Sequence, residues 1–156
     1  MIENVEIELK HIQLELQNNR SQHFRQFVDQ YYCYSKGYVN KNGGAKWDLI
    51  FWKEWVSNDA QKLTDKKLIV KEHVVPLKII TEKLKELGSD CSILEIKNVI
   101  DKYLHFATIT KIEDAKLRTS GFNHKMPDEF YDSDSVLYED TFARYKKVGI
   151  NYKKVK

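Results

Sequence analysis

Apolar residues in the first part of the chain are spaced as on helices. Positions three and four apart are apolar from Ile2 to Leu16, which predicts an amphipathic helix. Alternation around Ile7 also fits a strand, but the length of the pattern and its content of Glu, Gln, Lys and Leu favour the helix. A second helix with an aromatic face is predicted after Ser21, because this residue can cap its first turn.

Local signals place further helices in the second half of the chain. Pro76 can begin one helix, since its missing N–H costs little in a first turn, and Gly88 can end it. Capping boxes, in which Ser or Thr is followed three residues later by Glu, occur at Ser92–Glu95 and Thr110–Glu113. A last helix is predicted over residues 136–148.

The segment 47–56, with the sequence WDLIFWKEWV, is apolar on nearly every side. Most of it must therefore be buried, and we predict a core helix there. Its tryptophans could instead stack on nucleic-acid bases, but packing in a core is the commoner reason for such a density of aromatic residues.

Two short stretches rich in β-branched residues predict strands, at residues 68–73 and 106–110. No internal repeat or low-complexity tract accompanies them. The predicted fold class is therefore α+β and predominantly helical, with a small two-stranded element surrounded by helices.

Composition indicates a soluble globular protein rather than a disordered or rod-like chain. The 156 residues are 42% hydrophobic and 31% charged, with a formal net charge of +3. This length fits one domain, residues 1–156. We expect no membrane partner, because no apolar run approaches the roughly 20 residues of a membrane span. The absence of a signal-peptide pattern and the two isolated cysteines, Cys33 and Cys91, predict a cytoplasmic protein with reduced thiols.

The small net charge conceals two segments of opposite sign. Residues 126–143 contain Asp and Glu but no Lys or Arg, whereas residues 144–156 contain Lys and Arg but no acid. The basic segment suits phosphate contacts, and a solvated chain end is the alternative interpretation. The candidate nucleic-acid-binding residues are Arg144, Lys146, Lys147, Lys153 and Lys154.

Candidate chemistry centres on Glu72 and His73, at the end of the first predicted strand. A carboxylate can bind a hard divalent cation, and a neutral imidazole beside it can accept a proton from water. Together these groups suit metal-assisted hydrolysis of a phosphodiester. Neighbouring residues of a strand point to opposite faces, so both could reach one site only if the strand bends there. The alternative is a histidine that forms a hydrogen bond at a strand end beside a solvated glutamate.

The run EHVVPL at residues 72–77 resembles the signature that opens the ββα-metal motif of HNH-type endonucleases. The resemblance implies that Glu72 binds the metal and that His73 is the catalytic general base. It also implies a second strand leading into a helix that supplies another ligand, here Glu113 or Asp114, and a cofactor of Mg²⁺ or Mn²⁺. The motif is degenerate: its usual Asn is not evident, and no His occupies the ligand position on the helix.

With this motif the chain divides into three predicted parts. A helical amino-terminal part covers residues 1–66, a ββα-metal-like core with inserted helices covers 67–120, and a loop, helix and basic tail cover 121–156. The predicted function is a divalent-metal-dependent DNA endonuclease of HNH-like type.

Two alternatives to this function follow from charge. The first is a noncatalytic inhibitor, immunity or anti-defence protein that binds a protein or nucleic-acid partner, for which the acidic stretch at 126–143 could mimic phosphates. The second is a nucleic-acid-binding module that uses the basic tail and aromatic residues without chemistry.

Overall fold

A computed structural model describes all residues, 1–156, as an α+β protein with six α-helices and one four-stranded mixed sheet. Helices make up roughly half of the chain. The α-helices are α1 Asn4–Gln17, α2 Phe24–Lys36, α3 Leu77–Glu86, α4 Ile93–Tyr103, α5 Lys111–Thr119 and α6 Ala143–Val148. The strands are β1 Trp55–Ser57, β2 Ile69–His73, β3 Phe106–Thr110 and β4 Tyr152–Lys154. No helix combines the length and the apolar character that crossing a membrane requires.

The chain forms two compact units. The first contains residues 1–49 and 80–104, and the second contains residues 50–79 and 105–156. These units cut across the three predicted parts, because the inserted helical segment from residue 80 to 104 groups with the amino-terminal helices. The prediction of one domain over 1–156 is not tested by this division and stays a prediction.

The first unit is a helical assembly in which α1 packs against α2 and α4. Apolar residues that recur at helical spacing are fully buried there, among them Ile12, Val28, Ile96 and Ile100. The capping box at Ser92 is present in full: the Ser92 hydroxyl accepts from the Glu95 N–H, and the Glu95 carboxylate accepts from the Ser92 N–H. The predictions of α1, α2 and α4 are therefore confirmed. The predicted cap of α2 is wrong, because the helix begins at Phe24 after His23 and no side chain caps its first turn.

The second unit is built on the sheet, whose strand order is β2-β3-β1-β4. Strand β3 runs antiparallel to β2 and parallel to β1, and β4 is antiparallel to β1. One face of the sheet, the Ile109 face, packs on a core that includes Leu117 of α5 and Tyr145 of α6. The other face, the Ile69 face, carries Ile69 and Val56, which form a second core with Ala60, Phe51 and Trp52.

The predicted core helix over 47–56 is wrong, and so is the prediction that most of this segment is buried, because only Ile50 and Val56 are. A single 3₁₀ turn at Trp47–Ile50 is followed by strand β1, Trp55–Ser57. The physical reason is that both faces of this strand are covered: Trp55 packs with the Ile109-face core, and Val56 packs with the Ile69-face core. A strand buried on both sides is apolar all round, as a buried helix is.

The end of the chain also differs from the prediction. The last helix is shorter than predicted and covers only Ala143–Val148, and the basic tail forms strand β4 rather than a frayed end. The sheet therefore has four strands where two were predicted. Gly149 ends α6 with a φ of 76°, a left-handed conformation that glycine adopts without strain.

Candidate functional site

Strand β2 carries the predicted catalytic pair into the sheet, and its register with β3 decides where each side chain points. Glu72 pairs with Ala107, and His73 pairs with Phe106. Because side chains alternate along a strand, Glu72 lies on the Ile109 face and His73 on the Ile69 face. The strand therefore directs the predicted metal ligand and the predicted base to opposite sides of the sheet.

On the Ile109 face the Glu72 carboxylate is held by two residues of helix α6. The Arg144 Nη2 donates to Oε1 at 2.5 Å, and the Tyr145 hydroxyl donates to Oε2 at 2.5 Å. Only 13% of the Glu72 side chain is exposed. Burial raises the pKa of the Glu72 carboxyl, while the Arg144 charge and the Tyr145 hydrogen bond act in the opposite direction.

Arg144 is 1% exposed and uses its donors inside the protein. Besides Glu72, the guanidinium donates to the backbone carbonyls of His73, Val74 and Phe122. Arg144 therefore joins strand β2 to helix α6 and to the loop after α5. This position corrects its assignment as a phosphate-binding residue, because a side chain at 1% exposure does not reach a ligand at the surface.

Tyr145 lies at the centre of the buried polar groups of this face and is completely buried. Burial raises the pKa of the Tyr145 hydroxyl well above its usual value, and the nearby negative charges of Glu72 and Glu113 raise it further. Tyr145 therefore stays protonated and serves as a hydrogen-bond donor to Glu72.

Glu113 lies at the start of helix α5, and its carboxylate is occupied. It closes the capping box by accepting from the Thr110 N–H at 2.8 Å, and it also accepts from the Ser57 hydroxyl at 2.6 Å. The side chain is 8% exposed. Glu113 therefore links helix α5 to strand β1. The sequence does not indicate where β1 lies in the sheet.

Asp114, the other predicted ligand, points elsewhere. Its carboxylate forms an ion pair with Arg118 at 3.2 Å on the same helix. One helical turn after Glu113, Leu117 of α5 packs toward the Ile109 face and is buried in its apolar core.

The residues present do not fit a divalent metal in this arrangement. Both oxygens of Glu72 accept from protein donors, Glu113 is engaged by Ser57 and Thr110, and His73 lies on the other face. No group of three or more His, Cys, Asp and Glu side chains has a geometry that could hold a metal ion. On the Ile69 face the His73 ring packs against Phe106, with 4.5 Å between the ring centroids.

The basic tail divides into two pairs of lysines with different surroundings. Lys146 and Lys147 of helix α6 form ion pairs with Asp140 and Glu129 of the acidic stretch, at 2.5 Å and 2.6 Å. Lys153 and Lys154 lie on strand β4, are exposed and form no ion pair with a carboxylate. Because side chains alternate along a strand, Lys153 lies on the Ile69 face beside its partner Val56. Lys154 lies on the Ile109 face, where its ammonium group is 5.9 Å from the centre of the Trp55 ring. The acidic stretch thus neutralises the first pair and leaves the second available.

A groove of about 430 Å³ opens beside strand β4, and we call it the Trp52 groove. It is lined by Trp52, Val56, Gln61, Lys153, Lys154, Val155 and Lys156. Next to it, the ring of Phe51 lies 5.8 Å from that of Trp52 and carries the ammonium groups of Lys66 and Lys71, each 5.3 Å from its centroid. The groove thus combines an aromatic wall with positive charge.

The conformation of Trp52 is unusual for a bulky residue. Its φ is 58°, in the left-handed region that side chains with a Cβ rarely adopt. The backbone N–H of Trp52 donates to the Thr108 hydroxyl at 2.7 Å, and the indole Nε1 donates to the Ala60 carbonyl at 3.2 Å. Sequence reasoning considered these tryptophans only as a group and assigned them to packing, so it did not single out Trp52.

No family model, curated protein or solved structure matches this chain. Inference about function therefore depends on the geometry of the second unit.

Proposed function

We propose that the protein is a noncatalytic nucleic-acid-binding module and that the Trp52 groove is its binding surface. The observation that carries the proposal is the lining of the groove, in which Lys153 and Lys156 accompany the partly exposed Trp52. Unpaired ammonium groups next to an aromatic face are the combination that nucleic-acid-binding grooves use for backbone and bases.

The distribution of ion pairs supports this surface over the rest of the basic tail. Lys146 and Lys147 already face carboxylates, so a phosphate would have to compete with Asp140 and Glu129. Lys153 and Lys156 of the groove have no such competitor, and a phosphate that they bind releases the counterions around it. Binding through these two residues should therefore depend strongly on salt concentration.

The polar cluster around Glu72 has a structural role in this proposal. Its donors and acceptors satisfy one another, and its side chains are buried under α5 and α6. A buried ion pair that also satisfies backbone carbonyls links the elements of the second unit and requires no ligand.

Fluorescence anisotropy of a labelled 12-nucleotide DNA strand, measured from 50 to 300 mM KCl, tests the proposal. The variant with Lys153→Gln and Lys156→Gln should bind more weakly and should lower the slope of log K against log[salt] by about one for each lysine. The matched control replaces Lys146 and Lys147 by Gln and should change the slope less. Absence of binding by the wild-type protein at 50 mM KCl would refute the proposal, and so would equal losses in the two double variants.

A metal-dependent endonuclease of HNH-like type is the second candidate function. The observation that favours it is the order of elements, in which antiparallel strands β2 and β3 precede helix α5, with Glu72 and His73 ending β2. Cleavage of a supercoiled plasmid with Mg²⁺ or Mn²⁺, lost on His73→Ala, would support this candidate. Plasmid that stays intact with both metals and several protein concentrations would remove it.

A further inference from the structure

We propose that the Trp52 groove binds an unpaired base of a single-stranded nucleic acid, which stacks on the Trp52 ring, and that it discriminates against duplexes. This inference depends on the proposed nucleic-acid-binding function and specifies its ligand.

The Trp52 ring is held rigidly at the groove. A φ of 58° is unfavourable for a tryptophan, and such strain persists only where the surroundings enforce it. Here the hydrogen bond to Thr108 holds the backbone and the hydrogen bond to Ala60 holds the indole. A strained residue fixed at both ends is typical of positions where the direction of the side chain matters.

The same hydrogen bonds determine what Trp52 can recognise. An indole has one donor, Nε1–H, and the Ala60 carbonyl occupies it. The ring can therefore offer a ligand only its π-face. Stacking on a π-face tolerates any base, so we expect binding with little sequence preference.

Of the two neighbouring aromatic rings, that of Trp52 rather than that of Phe51 is the surface on which a base can stack. The ammonium groups of Lys66 and Lys71 lie near the Phe51 ring, so a base would have to displace them to stack there. The Lys71 ammonium lies on the same face of the sheet as the groove and adds to the positive charge of Lys153 there. Trp52 is therefore the aromatic residue of the groove and has positive charge on the same face.

Duplexes do not fit this mode of recognition. Within a duplex each base is stacked on both faces by its neighbours, so a protein ring reaches a base face only after the base is unpaired and unstacked. The groove volume of about 430 Å³ is in the range of pockets that enclose a small ligand. A single nucleotide unit matches that scale, with its phosphates directed toward the lysines.

The test uses the full chain and three forms of one labelled 12-nucleotide DNA: the single strand, the strand annealed to its complement, and a strand of the same length with abasic sites. The single strand should bind at least about tenfold more tightly than the other two at 100 mM KCl. Its binding should also quench tryptophan fluorescence. An RNA strand of the same sequence should bind equally well, because stacking and phosphate contacts do not involve the 2′-hydroxyl.

A pair of variants separates stacking from charge. Trp52→Leu should bind the single strand as weakly as wild type binds the abasic strand, whereas Trp52→Phe should retain part of the preference. If Trp52→Leu does not fold, the comparison of wild-type affinities for the three DNAs still decides. Equal affinity for single strand, duplex and abasic strand, with the expected salt dependence, would overturn base stacking and leave the lysine surface intact. Absence of binding to all three would overturn both proposals.

Discussion

Arg144 and Glu72, which are 72 positions apart, form a buried ion pair across the Ile109 face of the sheet. The pair joins helix α6 to strand β2, and the same guanidinium satisfies three backbone carbonyls beside it. A residue of the basic tail and a residue of the predicted catalytic motif thus balance each other's charge. This pairing explains how both can be buried without a ligand.

Removing Arg144 should strongly destabilise the protein. Arg144→Met would leave the Glu72 carboxylate buried without its cation, and breaking such a pair typically costs about 3–5 kcal/mol. Guanidinium-induced unfolding measures this loss. Lys146→Met on the same helix is the control, because its ammonium group is about half exposed. If the two variants had equal free energies of unfolding, the Arg144–Glu72 pair would have no structural role.

Tyr145→Phe should destabilise the protein by about 1–3 kcal/mol near pH 8, because Glu72 loses a buried hydrogen bond. The difference should depend on pH, since burial raises the pKa of Tyr145 far above its usual value. Above about pH 10 the unfolded wild-type chain loses this proton while the folded chain retains it, so folding stability falls as pH rises.

The phenylalanine variant lacks that titration. Its disadvantage relative to wild type should therefore shrink between pH 8 and pH 11 when the free energies of unfolding are compared at each pH. A disadvantage that stays constant or grows over this range would contradict a protonated, buried Tyr145.

The two capping boxes offer a matched comparison. Glu113 and Glu95 occupy the same position in their boxes, but Glu113 is buried and also accepts from Ser57, whereas Glu95 is exposed. Glu113→Ala should cost about 1–3 kcal/mol, because it leaves buried donors unsatisfied. Glu95→Ala should cost less. Thermal unfolding of both variants decides, and equal shifts in Tm would argue against the link between α5 and β1.

Tyr152 should contribute to folding as well as to the basic surface. Its ring stacks on Phe142, with 4.1 Å between centroids and 12° between planes, and strand β4 pairs with β1. Tyr152→Ala should lower stability by about 1–3 kcal/mol, less than for a fully buried aromatic residue. Tyr138→Ala, at an exposed ring, should have little effect on the unfolding midpoint in guanidinium. Deletion of residues 151–156 would thus test folding and binding together, so point substitutions are the sharper probe.

The features predicted correctly depend on neighbours in the chain. Residues three or four positions apart form the capping boxes at Ser92 and Thr110 and the apolar stripe of α1. Strands β2 and β3 were also identified from their β-branched content.

The errors occurred where the composition of a segment fits two different environments. Segment 47–56 has the apolar composition of a buried helix, but it forms a 3₁₀ turn and then enters strand β1, where Trp55 pairs with Ala107 and Lys154. In the same way the basic composition of 144–156 does not separate Arg144, which is buried, from Lys153, which is exposed.

By itself the sequence determined the α+β class, most helix boundaries and the presence of Glu72 and His73 at a strand end, because these depend on local spacing and propensity. Only the tertiary structure decided that Glu72 meets Arg144, that His73 lies on the other face, and that Trp52 stands beside Lys153. These relationships join residues far apart in the chain. They follow from strand register and strand order, which are set by packing across the whole sheet rather than by any local pattern.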